Sequence, residues 1–185
     1  MKPIDLAELS RIVGGRAFGT GSVAGIAIDS RRVRPGDAFF ALPGLHTDGH
    51  RFADAALQAG ASVVIVRSGA AASPRIEVAD PLAALQALAA TVRNKHIREV
   101  VAITGSNGKT IVKDALTSIL TGHRAVASSP GSWNSQVGVP LSVLAAPADT
   151  ALGIFEAGVS QPGEMAAHRA VLAPTAGILT NVGLA

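Results

Sequence analysis

The hydrophobic positions of this chain form short runs and helical stripes, and they predict an alternation of strands and helices. Up to Ala79, helical spacing predicts two short helices, and apolar runs predict three strands. The predicted helices are Asp5–Val13, ended by Gly14-Gly15, and Phe52–Ala59, ended by Gly60; the predicted strands are Val23–Ile28, Ala38–Leu42 and Ser62–Val66. A loop rich in glycine and alanine, residues 69–74, follows the last of these strands.

A second pattern begins at Asp80-Pro81, which supplies a helix N-cap and a proline at the first helical position. The predicted helices are Leu82–His96, Lys109–Leu120, Ser135–Ala145 and Gly163–Leu172; the predicted strands are Val100–Thr104, Ala125–Ala127, Ala151–Glu156 and Ala176–Thr180. Apolar strands separated by helices indicate a parallel sheet that is covered on both faces. We therefore expect an α/β protein with two domains, residues 1–83 and residues 84–185.

A glycine-rich loop stands between the strand Val100–Thr104 and the next helix. It reads Gly105-Ser106-Asn107-Gly108-Lys109-Thr110. Glycines let the backbone turn its N–H groups toward one anion, and the helix start adds its positive dipole end. In such loops the lysine reaches the outer phosphates and the hydroxyl holds Mg²⁺. The common form of this motif would place its first glycine at position 103, whereas here it is Gly105. The alternative interpretation is a plain glycine turn before an ordinary helix. Such a turn would not require Lys109-Thr110 at the helix start, so we predict phosphate binding.

Composition narrows the possible functions. Aromatic residues make up only 3% of the chain, which argues against a surface for stacking single-stranded nucleic acid. The net charge is +3 and the basic residues are scattered, apart from a cluster at residues 31–34 that we interpret as a solvated loop. The chain has no cysteine, which excludes disulfides and thiolate sites. No apolar stretch reaches about 18 residues, and the N-terminus lacks a signal-peptide pattern, so we expect a cytoplasmic protein that neither enters a membrane nor binds nucleic acid.

An acidic residue, Glu156, ends the predicted strand Ala151–Glu156. A carboxylate at a strand end beside a phosphate loop can ligate Mg²⁺ directly or through water. The alternative is an ordinary surface carboxylate. Glu164 is a weaker candidate, because its place in the first turn of a helix already suits the helix dipole.

Three polar loops remain open to two interpretations. Residues 134–136 either cap a helix or contact a substrate, and residues 29–31 and 44–50 are either loop structure or substrate contacts. His46 and His50 lack carboxylate or cysteine partners at zinc-ligand spacing, so we do not expect a zinc site. Thr180 and the residues after it have the character of a strand that passes into a functional loop.

At this point the motifs resemble those of a known family. T-G-S-N-G-K-T after a strand is similar to the ATP loop of the Mur ligases and of the related folylpolyglutamate synthases. The segment D-S-R-R-V-R-P-G-D-A-F-F-A-L-P-G-L-H-T-D-G-H-R-F resembles the Mur ligase domain that receives the UDP end of the substrate. N-S-Q-V-G-V-P-L-S, F-E-A-G and Q-P-G-E-M resemble the type that adds D-alanyl-D-alanine, and G-K-T-I-V-K-D resembles a subgroup of it that is fused to an alanine racemase.

The resemblance implies a small N-terminal α/β UDP-substrate domain followed by part of a P-loop, parallel-sheet ATPase domain. It implies ATP-dependent amide ligation through an acyl phosphate, with UDP-N-acetylmuramoyl-tripeptide and D-alanyl-D-alanine as substrates. By motif, ATP would be held by Gly105, Ser106, Asn107, Gly108, Lys109 and Thr110, Mg²⁺ by Thr110 and Glu156, and catalysis would depend on Lys109 and Glu156. The substrate would meet Asn134, Ser135 and Gln136, while its uridine diphosphate would meet Ser30, Arg31, Gly44, Leu45, His46, Asp48 and Gly49.

The chain also departs from the family pattern. Family members have a third domain, and a histidine that follows their N-x-G-x-A segment would fall at position 186. We therefore expect the chain to be the N-terminal portion of a ligase and to be inactive alone, with a C-terminal ligase domain and a racemase beyond it. Other readings are a Mur ligase that adds a single amino acid, a non-catalytic module that binds a UDP-sugar-peptide or a nucleotide, and, suggested by a pI near 10.0, a nucleic-acid-binding protein.

Overall fold

The computed structural model describes residues 3–44, 47–69 and 71–183. The chain divides into two compact units, Met1–Leu88 and Ala89–Ala185. Each unit has a β-sheet of its own and is described separately below. Among the described residues, no helix is long and apolar enough to cross a lipid bilayer.

The first unit has a five-stranded sheet and a two-stranded ribbon. Its elements are β1 Ile4–Asp5, α1 Leu6–Ile12, β2 Arg16–Phe18, β3 Ser22–Val23, β4 Gly25–Ala27, a 3₁₀ turn Ser30–Arg32, β5 Asp37–Phe40, a 3₁₀ turn Gly49–Phe52, α2 Ala53–Gln58, β6 Val63–Arg67 and β7 Arg75–Val78, before α3 Pro81–His96. The strand order is β2-β7-β6-β5-β4. β4 to β7 run parallel, and β2 is antiparallel to β7.

Apolar side chains of β5, β6 and α2 form the core of this unit, among them Phe39, Val64 and Ala56. The predicted helices and the strands at β5 and β6 are confirmed to within a few residues. The prediction of one strand over Val23–Ile28 is wrong, because the chain changes partner at Ala24: β3 pairs with β1 and β4 pairs with β5.

Two strands of the first unit were not predicted. β2 and β7 pair with each other in an antiparallel register. They carry Arg16, Arg75 and Glu77, and Arg75 Nε donates to Glu77 Oε1 at 2.9 Å. Charged side chains on short strands hide the apolar pattern from which strands are predicted.

The second unit is a parallel sheet with helices on both faces. Its elements after α3 are β8 Glu99–Thr104, α4 Lys109–Thr121, β9 Val126–Ser128, α5 Gly138–Leu144, β10 Leu152–Glu156, α6 Glu164–Leu172 and β11 Ala176–Leu179, and its strand order is β11-β8-β10-β9. Every strand pair is parallel. One face packs α4 against Ile103 and Ile154. The other packs α5 and α6 against Val100 and Phe155. The predicted parallel sheet with two covered faces is confirmed.

The register of β8 and β10 places two candidate residues at one edge of this sheet. Glu156 pairs with Ile103, one residue before the end of β8. The carboxyl ends of neighbouring parallel strands lie at the same edge, where ligands bind in open α/β sheets. The glycine loop after β8 and the carboxylate that ends β10 are therefore brought to one place.

Candidate functional site

The loop between β8 and α4 has a backbone that glycine makes possible. Gly105 has φ +133° and Gly108 has φ +79°, both on the left-handed side. Gly108 is the N-cap of α4, and no side chain of the described residues caps this helix start. The first N–H groups of α4 and its positive dipole end are thus available to an anion.

Lys109 lies across this loop. Its Nζ donates to Gly105 O at 2.6 Å and to Ser106 O at 3.3 Å. The ammonium is therefore already held at the loop, next to the start of α4. Backbone carbonyls on an exposed loop are weak partners that a phosphate can replace.

The residues after β11, 180–183, pack against the glycine loop and form a second wall beside it. Asn107 N donates to Asn181 Oδ1 at 2.9 Å, and Thr180 Oγ1 donates to Asn107 O at 2.5 Å. Ser106 Oγ donates to Gly183 O at 3.2 Å and accepts from Gly183 N at 3.0 Å. The loop that was predicted to be functional from its sequence thus holds the glycine loop in shape.

This second wall explains the position of the first glycine. A Cβ on Gly105 would overlap Thr180 Oγ1 and would lie 2.9 Å from Asn181 O. Position 105 must therefore be glycine, because residues 180 and 181 pass against it.

Glu156 is fully buried at the end of β10. Its Oε2 accepts from Asn134 Nδ2 at 3.4 Å, and its backbone N–H donates to Ser129 Oγ at 3.1 Å. Its Oε1 has no hydrogen-bond partner among the described residues. The prediction of a strand-end carboxylate is confirmed, and the surface alternative is wrong, because the side chain has no exposed area.

One residue of this site was missed from the sequence. Lys113 is 2% exposed, and its Nζ lies 3.5 Å from Glu156 Oε1. In the sequence, Lys113 only adjoins Val112, one of the sheet-facing positions of α4. A lysine beside an apolar stripe usually keeps its ammonium in water, so the burial of Lys113 is seen only in the fold.

The predicted substrate segment 134–136 has structural contacts. Ser135 Oγ accepts from Gly138 N at 3.0 Å, and α5 begins at Gly138, so the prediction that this helix starts at Ser135 is wrong. The serine side chain closes a turn before the helix, as in the capping interpretation. Gln136 Nε2 donates to Glu164 O at 3.2 Å and lies 3.0 Å from His168 Nε2. Asn134 faces Glu156, so of the three it lies nearest the candidate metal ligand.

Glu164 acts on the turn before α6. Its Oε2 accepts from Ser160 N at 2.6 Å, from Gln161 N at 3.0 Å and from Ser160 Oγ at 3.1 Å. The backbone N–H of Ser160, followed by that of Gln161, holds the pKa of Glu164 below its ordinary value. The structure thus gives Glu164 a capping role.

This cap predicts a dependence on acid. Because the folded pKa of Glu164 is depressed, its contribution to stability is complete above the unfolded pKa and is lost as the pH falls through the folded pKa. A carbon-13 NMR titration is expected to give a midpoint for Glu164 below that of an unstructured glutamate. The Glu164→Gln variant should lack this loss of stability in acid. A midpoint at or above the ordinary value would contradict the assignment.

In the first unit, the candidate residues follow the carboxyl ends of β4 and β5. Asp29, the N-cap of a 3₁₀ turn, accepts from Arg31 Nε at 2.9 Å and from Arg31 Nη2 at 2.7 Å. The side-chain hydrogen bond from Arg31 lowers the pKa of Asp29 to about 2. Arg31 is therefore a paired cation. Ser30 begins the same turn.

The second candidate loop of this unit is held by backbone bonds. Gly44 N donates to Thr47 O at 3.0 Å, and Gly49 N donates to Leu42 O at 3.0 Å. Two of its predicted contact residues, Leu45 and His46, lie outside the described residues.

A cavity of about 410 Å³ opens beside this loop and the end of β6. Its lining includes Asp48, His50, Asp54 and Arg67. His50 Nε2 accepts from Arg67 N at 2.7 Å, and its Nδ1 lies 2.7 Å from Asp48 Oδ1. A ring nitrogen that accepts a backbone N–H carries no proton, so the proton of His50 is on Nδ1 and points at Asp48. The sequence placed Asp48 at a binding loop but gave no sign of Asp54 or Arg67.

The residues of the second unit fit a nucleotide phosphate. The glycine loop, Lys109 and the uncapped start of α4 offer donors and positive charge to one anion. Mg²⁺ in phosphate-transfer sites takes one or two protein oxygens in addition to phosphate and water. Thr110 and Glu156 are candidates for those oxygens. Oε1 of Glu156 accepts no hydrogen bond among the described residues, so it is an acceptor that such a cation could satisfy.

Comparison with known proteins gives consistent matches over nearly the whole chain. The model for the catalytic domain of the Mur ligase family matches residues 22–107, and the model for the Mur ligase middle domain matches residues 103–185. Curated proteins named UDP-N-acetylmuramoyl-tripeptide–D-alanyl-D-alanine ligase are similar to it. The one from Treponema pallidum is 38% identical over 91% of this chain and 40% of its own length, and the one from Escherichia coli K12 is 33% identical over 100% and 41%.

Solved structures agree with these matches. MurF from Acinetobacter baumannii has a TM-score of 0.94 and 30% identity, and covers 100% of this chain and 42% of its own. MurF ligase from Thermotoga maritima, solved in complex with ADP, has a TM-score of 0.81 and 33% identity over 87% of this chain and 38% of its own. The chain thus spans about two fifths of the length of the relatives it matches.

Proposed function

This chain belongs to the Mur ligase family, and from that premise we propose that it is the nucleotide- and UDP-substrate-binding portion of the ligase that adds D-alanyl-D-alanine to UDP-N-acetylmuramoyl-tripeptide. The observation that carries the proposal is the joint presence of the glycine loop with Lys109 and the buried Glu156 at one edge of the second sheet. The names of the similar proteins support this type over one that adds a single amino acid.

The proposed reaction has two steps. The terminal carboxylate of the tripeptide takes the γ-phosphoryl group of ATP, which gives an acyl phosphate and ADP. The amine of D-alanyl-D-alanine then attacks the acyl carbon, loses a proton and releases inorganic phosphate as the amide forms. Such transfers depend mainly on position and charge neutralisation.

In this scheme the residues of the second unit bind and orient. Lys109 exchanges its own loop carbonyls for phosphate oxygens, and the N–H groups at the start of α4 hold the same anion. Asn134 orients Glu156 through the bond to Oε2. Mg²⁺, held by Thr110 and Glu156, would neutralise charge on the phosphates.

We assign the UDP end of the substrate to the first unit. Ser30, Arg31, and the loop 44–49 follow parallel strands of its sheet, and the cavity beside Asp48 and Arg67 offers space and a cation.

We further propose a cytoplasmic location. A C-terminal ligase domain, and an alanine racemase fused to it, stay predictions from the sequence resemblance. The chain spans about two fifths of the length of its relatives, and we propose for it the binding of these ligands.

Amide NMR spectra test both assignments in one protein. ADP with Mg²⁺ is expected to shift resonances of residues 105–112, and UDP-N-acetylmuramoyl-tripeptide is expected to shift those of residues 29–32 and 47–54. Adenosine, which lacks phosphates, is the control and should leave residues 105–112 unchanged. If ADP left the resonances of residues 105–112 unshifted, the nucleotide site would be refuted. If the UDP-linked peptide shifted no resonance of the first unit, the UDP assignment would be refuted.

A further inference from the structure

The buried lysine of α4 has more contacts than its burial alone requires. Lys113 Nζ donates to Ser129 O at 2.9 Å and to Gly131 O at 2.6 Å. It also lies 3.1 Å from Asp114 Oδ1 and 3.5 Å from Glu156 Oε1. One ammonium group therefore joins α4 to the segment after β9 and to the carboxylate at the end of β10.

The two carboxylate oxygens of Glu156 face different partners, Asn134 and Lys113. A buried carboxylate needs a cation or hydrogen bonds to remain charged. Asn134 serves Oε2, while Oε1 has no hydrogen-bond partner in the described part of the chain and faces the Lys113 ammonium instead. Oε1 is thus the oxygen of Glu156 whose direction depends on Lys113.

The two carbonyls belong to the segment that leads to Asn134. Ser129 is itself tied to β10, because its Oγ accepts from Glu156 N. Two residues after Gly131 comes Trp133, the sole tryptophan of the chain, whose surface is 42% exposed. The two ends of this segment keep other bonds, because Ser129 N donates to Ile154 O at 3.2 Å and Gly158 N donates to Asn134 O at 2.8 Å. Loss of the Lys113 donor would therefore release chiefly the middle of the segment, at Gly131 and Trp133.

We infer that Lys113 is a positioning residue of the proposed nucleotide site: it fixes Glu156 Oε1 and the segment 129–134 in one arrangement before a ligand binds. The inference rests on the proposed function where it concerns the metal, and on the contacts above where it concerns the segment. A lysine that only offsets a buried charge would stabilise the fold, but its loss would leave the metal dependence of nucleotide binding unchanged.

The test compares Lys113→Met with Lys95→Met, a matched change at an exposed lysine of the same unit. In the ligand-free protein, acrylamide quenching of Trp133 is expected to rise roughly twofold in Lys113→Met, because the segment opens more often, and to stay unchanged in Lys95→Met. Calorimetry with ADP, with and without Mg²⁺, gives the second measurement. The tightening of ADP binding by Mg²⁺ is expected to fall about tenfold in Lys113→Met, while metal-free binding keeps its wild-type affinity.

Each result decides the inference. Unchanged quenching overturns it, and raised quenching with an unchanged Mg²⁺ effect overturns it too, because Lys113 would then be a structural support alone. A wild-type protein that does not bind ADP refutes the proposed function, and the quenching comparison still decides whether Lys113 holds the segment. If Lys113→Met has no cooperative thermal transition, Lys113→Gln replaces it, since the amide keeps a donor for one carbonyl but lacks the charge.

Discussion

Replacing Lys109 with methionine is expected to weaken the binding of ADP with Mg²⁺ to this chain between about tenfold and a hundredfold. A hydrogen bond from a charged donor contributes about 1.5–3 kcal/mol, and each 1.4 kcal/mol corresponds to roughly a factor of ten in affinity. The same change should alter stability by less than about 0.5 kcal/mol, because the carbonyls of Gly105 and Ser106 that Lys109 contacts can turn to water. Isothermal calorimetry measures the affinity, and urea unfolding measures the stability.

The control is Lys95→Met, which removes the same charge from an exposed position of α3. Long-range attraction between a basic protein and an anion would weaken binding in both variants. A contact at the loop would weaken it in Lys109→Met alone. Equal affinity of the wild type and Lys109→Met would show that the phosphates lie elsewhere.

The sheet and its loop could be predicted because their signals are local. The run from Val100 to Thr104 is apolar on both faces, and the glycines at 105 and 108 directly follow it. The apolar run and the glycines are neighbours in sequence, so the sequence pattern alone predicts the strand and the loop after it. The position of Glu156 at a strand end could also be predicted locally, because Glu156 ends an apolar run.

Lys113 and the starting point of α5 required the fold. The partners of Lys113 are carbonyls and a carboxylate that follow other strands of the sheet, and no pattern within α4 names them. α5 begins at Gly138 although Val139 N already donates to Ser135 O at 3.0 Å, because Pro140 has no N–H with which to continue the helical bonds at Gln136 O. In the first unit, Arg16, Arg75 and Glu77 gave β2 and β7 a polar appearance that their pairing with each other outweighs.

Replacing Gly105 with alanine is expected to lower the free energy of unfolding of the second unit by about 2–6 kcal/mol and to abolish measurable ADP binding. The cost has two parts. A non-glycine residue at φ +133° is strained by about 1–3 kcal/mol. The added Cβ would also overlap Thr180 Oγ1 and crowd Asn181 O and N at 2.9 and 3.0 Å, and such overpacking costs about 1–3 kcal/mol.

Gly122→Ala is the matched control for this change. Gly122 ends α4 with φ −68°, and in the part of the chain that the structure describes no atom lies within 4 Å of an added Cβ there. Alanine should therefore leave stability unchanged or raise it by about 0.4–1 kcal/mol. Trp133 lies in the second unit, so its fluorescence during urea unfolding reports on that unit. If Gly105→Ala were as stable as Gly122→Ala, residues 180 and 181 would not pass against the loop, and the position of the first glycine would need another cause. If Gly105→Ala were destabilised but still bound ADP, the loop would tolerate displacement and its shape would not be what holds the phosphates.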